Sequence, residues 1–303
     1  MITEWIFMCR IKLLYMKTIF LIFVRNLYYW LSPSIRLLSR RIFYLPYDFF
    51  VYIFKEKDEM DPPKGLIFIG GGDFKKIGQL YLQRFIDLGC LKPNHRVLDI
   101  GCGIGRIAIP LTSYVDNSGS YEGFDIVRFG IKWCQKNIST KFPNFTFQYV
   151  SLKNTLYSSE KQSKAKDFIF PYNDKEFDFI ILTSVFTHML PEDVTNYLNE
   201  IYRVLKPTGL CYATFFILST ASKIAMVNND ELNFTLNHGN YRTLRKHIDE
   251  ANVAYEEEFL FNLINNSNLS VEKLFYGHWS GRSDSETLDF QDTVLLAKHT
   301  IVL

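Results

Sequence analysis

The sequence predicts an α/β fold in which a parallel β-sheet carries helices on both faces. Two observations support this prediction. Beyond residue 64, the pattern alternates between short apolar segments typical of strands and longer segments typical of helices. The first of these apolar segments, residues 96–100, runs directly into three glycines at every second position, Gly101, Gly103 and Gly105. A buried strand that turns at once into a helix has this pattern.

The predicted elements follow in order from that first strand. The first strand is the apolar run that ends at Ile100, and the second strand ends at Asp125. A later helix begins at Pro191, since proline is common in the first turn of a helix. Residues 217–252 have no regular pattern. The other strands are predicted at residues 121–125, 145–150, 177–183, 209–216, 269–276 and 293–298. Helices are predicted at residues 74–90, 105–115, 129–140, 191–205 and 255–266.

The N-terminal part differs from the rest, and we divide the chain into an arm, residues 1–60, and a domain, residues 61–303. Residues 1–54 are rich in aromatic and aliphatic side chains, with seven Lys or Arg against Glu4 and Asp48, a net charge of +5. The longest apolar run, residues 19–24, is far below the roughly 20 residues that cross a bilayer. Two interpretations stay open: a helix lying in a membrane interface, or a helical arm packed on the domain.

Charge and cysteine content exclude several classes of function. Beyond residue 54 the chain holds 27 basic and 30 acidic residues, a net charge of −3, so a nucleic acid partner is not expected. The five cysteines include no Cys-x-x-Cys pair, and neither a metal site nor a disulfide framework is predicted. We expect a cytoplasmic protein, or one attached peripherally to the inner face of a membrane through residues 1–54.

The glycine segment is the candidate ligand site. Glycine has no Cβ and tolerates positive φ, so a ligand can lie directly against the main chain there. A dinucleotide fingerprint would read G-x-G-x-x-G, whereas the third glycine falls at Gly105 and Arg106 follows. A phosphate-binding P-loop would end in Gly-Lys-Ser or Gly-Lys-Thr, which is absent from this segment.

Asp99-Ile-Gly101-Cys-Gly103-Ile-Gly105 resembles motif I of the class I S-adenosylmethionine (SAM) dependent methyltransferases. Residues 177–189 resemble the fourth strand and following loop of that family, and residues 205–209 its turn before strand five. The resemblance implies a Rossmann-like, seven-stranded, mostly parallel sheet whose last two strands form an antiparallel hairpin. It also implies that the glycine turn binds the amino-acid end and the ribose of SAM.

Further residues are assigned to the cofactor. Asp125 lies 24 residues beyond Gly101, and an acid at the end of the second strand can accept hydrogen bonds from both ribose hydroxyls; Ile126 follows it. The alternative is a surface aspartate. We expect Asp99 to organise the loop by accepting backbone N–H bonds, with indirect contact to SAM. The resemblance implies that Phe74, after three glycines, covers SAM as part of a lid; a flexible turn is the alternative.

A closer resemblance, over residues 66–298, is to a subgroup of bacterial small-molecule methyltransferases. It rests on residues 184–189, residues 143–145, the Gly-x-Trp-x-Gly-Arg segment ending at Arg282, and Gln291-Asp292. The subgroup carries an acid near the adenine after strand three. Residues 151–154 of this chain hold none, so adenine recognition is expected to fall either to the backbone or to Asn154.

The acceptor is expected beside the loop after the fourth strand, because ligands lie outside the carboxyl ends of parallel strands. Thr183 and Ser184 border it, and His188 is the candidate general base, with a helix-capping role as the alternative. Trp279 and Arg282 could clamp a planar or anionic acceptor, or could be structural.

The predicted function is transfer of a methyl group from SAM to an oxygen or nitrogen of a small molecule, such as a metabolite, a sugar or a lipid-linked intermediate. Two alternatives remain at this point. One is a SAM-binding regulatory or scaffold protein without activity, and the other is an NAD-dependent dehydrogenase.

Overall fold

A computed structural model describes residues 31–54, 60–68, 70–152, 163–228, 232–244, 252–283 and 287–299 of the 303-residue chain. Seven α-helices and eleven strands lie in these ranges. The helices are α1 (Pro33–Phe54), α2 (Phe74–Asp87), α3 (Ala108–Leu111), α4 (Arg128–Cys134), α5 (Pro191–Val204), α6 (Thr220–Ala225) and α7 (Glu257–Asn266). The strands are β1 (Arg96–Ile100), β2 (Ser120–Asp125), β3 (Phe145–Tyr149), β4 (Phe177–Leu182), β5 (Leu205–Phe215), β6 (Ile217–Leu218), β7 (Leu236–Asn237), β8 (Tyr241–Thr243), β9 (Val253–Glu256), β10 (Leu269–Phe275) and β11 (Asp292–Lys298).

The main sheet confirms the predicted fold class. Its strand order is β10-β11-β5-β4-β1-β2-β3. The pairs among β1 to β5 are parallel, whereas β11 is antiparallel to both β5 and β10. The chain leaves β1 towards β2 and β3 on one side, and continues into β4 and β5 on the other. The switch point between β1 and β4 is where such sheets open a crevice for ligands.

Two hydrophobic clusters sandwich this sheet, because successive residues of a strand face opposite sides. In β1, Leu98 and Ile100 join one cluster, which packs under α5 and α7, while Val97 joins the other, which packs under α2 and α4. In β4, Ile180 and Phe179 divide in the same way. Both faces of β1 and β4 are therefore buried, and their carboxyl ends are held rigidly.

Several predicted boundaries were wrong. The helix expected at residues 105–115 is only the four residues of α3, flanked by hydrogen-bonded turns. The helix expected from residue 255 starts at Glu257, because Val253–Glu256 is strand β9. The stretch at residues 217–252 contributes β6, α6, β7 and β8, and a second sheet has the order β6-β9-β8-β7. Strands β7 and β8 pair as a short hairpin, whereas β6 is stabilised by pairing with the distant strand β9, which local sequence does not show.

Helix α1 is the described part of the N-terminal arm. It is joined to the domain at residues 64–65, where both carboxylate oxygens of Asp48 accept backbone N–H bonds from Lys64 and Gly65. Within the described ranges, no helix has both the length and the apolar character needed to cross a membrane.

Candidate active site

A cavity of about 470 Å³ opens at the carboxyl ends of β1, β2 and β4. Its wall combines the turn after β1, the residues that end β2 and β3, the loop after β4, one face of α2 and residues 289–291. The volume lies within the range of small-molecule sites. The site therefore lies at the predicted edge of the sheet.

The glycine turn forms the floor of this cavity, and its three glycines do different things. All three have positive φ, +76° at Gly101, +60° at Gly103 and +79° at Gly105. Gly101 lines the cavity, and a Cβ on it would stand 2.5 Å from Cγ2 of Val185. Gly105 lies against α4 instead, since its Cβ would meet Sγ of Cys134 at 3.1 Å. Gly103 and Gly105 shape the turn without lining the cavity.

Asp125 connects the end of β2 to the glycine turn. Its Oδ2 accepts a hydrogen bond from the Gly103 N–H at 2.8 Å, and its Oδ1 accepts one from the Val127 N–H at 2.7 Å. Burial raises the pKa of the Asp125 carboxyl, and the backbone N–H donors oppose that rise. Each carboxylate oxygen has a second lone pair, and Asp125 and Ile126 both line the cavity. Asp125 is thus placed to accept further hydrogen bonds from a ligand.

Asp99 differs from its expected role. It accepts no backbone N–H bond; Oδ2 accepts the Tyr121 hydroxyl at 2.6 Å, and Oδ1 has no hydrogen-bond partner among the described residues. The expectation that Asp99 organises the loop was wrong, because Asp125 accepts those N–H bonds. Asp99 is 1% exposed and lines the cavity, and burial is the main cause that raises the pKa of its carboxyl to about 7.

Arg106 is a site residue that the sequence analysis missed. It lines the cavity, its Nε has no hydrogen-bond partner, and no carboxylate among the described residues forms an ion pair with it. Burial lowers the pKa of its guanidinium. Arg84, also on the wall, is by contrast paired with Asp289. Gly70 lies over Arg106, since a Cβ there would stand 3.1 Å from Nη1. The available signal was an arginine directly after the glycines.

The cofactor implied by the resemblance carries charges that fit these two residues. Asp99 and Arg106 line one cavity with opposite charges, yet they do not pair with each other. The amino-acid end of SAM is a zwitterion, whose ammonium can donate to the Asp99 carboxylate and whose carboxylate can accept from the Arg106 guanidinium. Asp125 remains available for the ribose. The residues present therefore fit SAM.

This fit predicts that Arg106 recognises the cofactor carboxylate. Arg106→Gln should weaken binding of S-adenosylhomocysteine by about tenfold to 100-fold, the usual contribution of a hydrogen bond to a charged group. Binding of 5′-methylthioadenosine, which lacks the amino-acid end, should not change. Titration calorimetry with both ligands measures the two effects. Arg128→Gln, which removes an exposed arginine outside the cavity wall, is the matched control, and an equal loss for both ligands in Arg106→Gln would contradict the assignment.

The loop after β4 supplies the opposite wall. Thr183, Ser184 and His188 line the cavity as expected from the sequence. Ser184 has φ +58°, a strained conformation for a residue other than glycine. Its backbone N–H donates to Oγ1 of Thr214 at 2.8 Å, and its hydroxyl donates to Oε1 of Gln291 at 3.0 Å. These bonds stabilise the strained residue at the cavity wall.

Gln291 is a second residue whose position the sequence analysis missed. It lines the cavity, and its carbonyl oxygen accepts hydrogen bonds from the hydroxyls of Thr214, at 2.7 Å, and Ser184. With the carbonyl engaged, the amide NH2 is the part of Gln291 that remains to donate to a ligand. The sequence marked Gln291 only through the family resemblance.

Besides Gly103 and Gly105, three further predicted residues do not line the cavity: Phe74, Trp279 and Arg282. Phe74 starts α2 and does not line it, whereas Ile77 and Tyr81, on the next turns of that helix, do. Trp279 is buried beside the second sheet, where its indole N–H donates to Oδ2 of Asp292 at 2.7 Å. A buried indole needs such a partner.

Arg282 donates to Oγ of Ser219 at 3.0 Å, and its guanidinium lies 4.3 Å from the ring centroid of Tyr276. The structure thus gives Trp279 and Arg282 the structural contacts that were the alternative to an acceptor clamp. Asn154, the residue expected near adenine, lies outside the described residues.

Comparison with known proteins identifies the family of this chain. A family model described as a methyltransferase domain matches residues 91–259, more than half of the chain. A phthiotriol/phenolphthiotriol dimycocerosates methyltransferase from Mycobacterium ulcerans is 31% identical over 130 residues, 43% of this chain and 40% of that protein. A tRNA N(3)-cytidine methyltransferase from Bos taurus is 27% identical over 119 residues, 39% of this chain and 28% of that protein. The matched part is thus less than half of either relative.

Among solved structures, the PH0226 protein from Pyrococcus horikoshii superposes with a TM-score of 0.50. It is 14% identical, and the superposition covers 82% of this chain and 98% of that one, which supports the fold alone. The family match extends over β1 to β5 and therefore includes the glycine turn, Asp125 and the loop after β4. The chain belongs to the class I methyltransferase family, whose methyl donor is S-adenosylmethionine.

Proposed function

We propose that this enzyme transfers the methyl group of SAM to an oxygen or nitrogen nucleophile of a small molecule. The observation that carries the proposal is that one cavity of about 470 Å³ holds both kinds of residue needed. Asp99 and Arg106 suit the amino-acid end of the cofactor, and Asp125 suits its ribose. Ser184 and His188 lie on the wall that is left for the acceptor.

The chemistry divides between the cofactor and the chain. Bound SAM supplies an electrophilic methyl group on a sulfonium, and transfer needs a lone pair on the acceptor in line with it. The chain orients the partners, which alone accounts for a large part of such catalysis. Gln291 donates an amide hydrogen bond to the acceptor, and His188 takes the proton that the acceptor oxygen or nitrogen loses.

Charge and cavity size favour a small acceptor over a nucleic acid. Beyond residue 54 the chain has a net charge of −3, whereas binding to a polyanion depends on clustered positive charge. A cavity of about 470 Å³ is of the size that encloses a small ligand. The tRNA relative makes RNA the alternative to be tested.

The direct experiment is transfer of a labelled methyl group from SAM into a cell extract. We expect label in the lipid or in the aqueous small-molecule fraction, and none above background with an Asp125→Ala variant. Label confined to RNA would contradict the small-molecule acceptor. Tight binding of SAM without label in any fraction would instead show a SAM-binding protein that lacks activity.

The same assay tests His188. A general base contributes about 10² to 10⁴ in rate, so His188→Ala should lower kcat by at least about 100-fold while leaving the affinity for SAM unchanged. His278→Ala is the matched control, because His278 lies outside the cavity wall and its Nδ1 is 3.2 Å from Oγ1 of Thr287. A rate near that of the wild type at every pH would remove His188 as the base.

A further inference from the structure

Helix α1 has the reverse of the usual amphipathic arrangement. Eleven large apolar side chains between Ile35 and Phe54 are each about half exposed or more, along two stripes at helical spacing. Phe43 and Tyr52, one from each stripe, are both 76% exposed. Such a face presents on the order of 1,000 Å² of apolar surface, whereas the largest exposed patch of a soluble monomer is about 300–600 Å².

The charged side chains of α1 lie on the opposite, domain-facing side. Its four charged side chains are buried or half-buried: Arg36, Arg40, Arg41 and Asp48. Asp48 accepts the backbone N–H bonds of Lys64 and Gly65, at 2.7 Å and 2.9 Å. The guanidinium of Arg41 lies 4.5 Å from the ring centroid of Phe129 in α4. The polar contacts of α1 are therefore made with the protein, and its outward face suits an apolar environment.

The net charge of the N-terminal arm indicates which apolar environment the outward face of α1 binds. Residues 1–54 hold seven basic side chains against two acidic ones, a net charge of +5. At the edge of the apolar face, the exposed Lys64 ammonium lies 4.9 Å from the ring of Tyr47 and 5.4 Å from that of Tyr44. Aromatic side chains flanked by cations match the headgroup region of an anionic bilayer. A second copy of the chain would instead bring two positively charged arms together.

We propose that the outward face of α1 binds the headgroup region of an anionic lipid bilayer, with the helix axis along the surface. Crossing the bilayer is excluded, because Arg41 and Asp48 near the middle of the helix are fixed to the domain. The docked helix lies close to the active site. Phe129, under Arg41, contacts the ring of Phe68 at 5.1 Å between centroids, and Phe68 lines the cavity.

The ring of Phe129 therefore lies between the lipid-binding helix and the cavity wall at Phe68. Docking itself does not depend on methyl transfer, so binding to vesicles and enzymatic activity can fail separately.

Vesicle flotation of the full chain tests the proposal. We expect binding to vesicles of phosphatidylcholine with phosphatidylglycerol, much weaker binding to phosphatidylcholine alone, and loss of binding at high salt. The double variant Phe43→Ser, Tyr52→Ser should bind at least about tenfold more weakly, since two interfacial aromatic side chains are lost. The matched control is Ile224→Ser, Val227→Ser, which removes apolar side chains that are 70% and 69% exposed on the domain. It should bind as the wild type does.

Three outcomes would overturn the proposal. The first is that the wild type binds neither kind of vesicle, which would mean that another part of the protein covers α1. The second is that the wild type is a dimer that binds no vesicles, while the Phe43→Ser, Tyr52→Ser variant is a monomer. That result would assign the face to a second copy. The third is equal loss of binding in both double variants. Binding of S-adenosylhomocysteine by each variant verifies that the domain is folded.

Discussion

Gly101→Ala should abolish binding of S-adenosylhomocysteine and destabilise the protein by about 2–5 kcal/mol. Two costs add. An alanine at φ +76° costs about 1–2 kcal/mol, and its Cβ would stand 2.5 Å from Cγ2 of Val185, an overpacking that costs about 1–3 kcal/mol. Because Val185 belongs to the loop after β4, its displacement also disturbs Ser184 and His188. Denaturant unfolding and titration calorimetry measure the two effects.

Two further variants identify the cause of this loss. Gly71 lines the same cavity, but a Cβ on it meets no atom within 4 Å, so Gly71→Ala should unfold at the wild-type denaturant concentration. Adding Val185→Ala to Gly101→Ala removes the close contact and leaves the backbone strain, so part of the stability should return. Wild-type binding and stability in Gly101→Ala would show that the turn does not need a bare main chain.

Asp125→Ala should have the second large effect. It leaves the N–H groups of Gly103 and Val127 without their acceptor in a buried site, and each unsatisfied group costs about 1–3 kcal/mol. It also removes the carboxylate proposed to bind the ribose. We expect a loss of about 2–5 kcal/mol in the free energy of unfolding and at least 100-fold weaker binding of S-adenosylhomocysteine, about 3 kcal/mol. Denaturant unfolding and calorimetry again provide the measurements.

The choice of ligand separates Asp125 from Arg106. Both S-adenosylhomocysteine and 5′-methylthioadenosine contain the ribose, so Asp125→Ala should weaken both, whereas Arg106→Gln weakens only the first. Asp116→Ala is the matched control, because Asp116 also accepts two backbone N–H bonds, from Ser118 and Gly119, but in an exposed turn. It should change stability by less than about 1 kcal/mol. Wild-type affinity in Asp125→Ala would contradict the ribose assignment.

The sequence predicted the parts of the fold that are set locally. The bounds of strand β1 were predicted to the residue. Its apolar run follows a loop on one side and ends at the glycine turn on the other. The alternation of strands and helices was enough to predict a parallel sheet. The second sheet was missed, since Ile217–Leu218 and Leu236–Asn237 are only two residues long. Ile217–Leu218 also depends on pairing with the distant strand β9.

Roles within the site were harder to predict than positions. Asp99 followed from the motif and Asp125 from its place at the end of the second strand, but which of them accepts the backbone N–H bonds depends on how β2 meets the glycine turn. Trp279 was considered for the acceptor because its segment was placed in a turn that faces the acceptor side; its hydrogen-bond partner Asp292 belongs to strand β11. Arg106 was overlooked because the motif ends at Gly105, and only the fold shows a half-buried guanidinium that forms no ion pair with a carboxylate of the described residues.

The central claim is that the cavity above Gly101 binds the adenosyl cofactor. Titration calorimetry of the full chain with S-adenosylhomocysteine and, separately, with NAD tests it most directly. We predict one S-adenosylhomocysteine per chain, weakened by Gly101→Ala and by Asp125→Ala, and no binding of NAD. Binding of NAD without S-adenosylhomocysteine, or affinity for S-adenosylhomocysteine that neither substitution changes, would contradict the account.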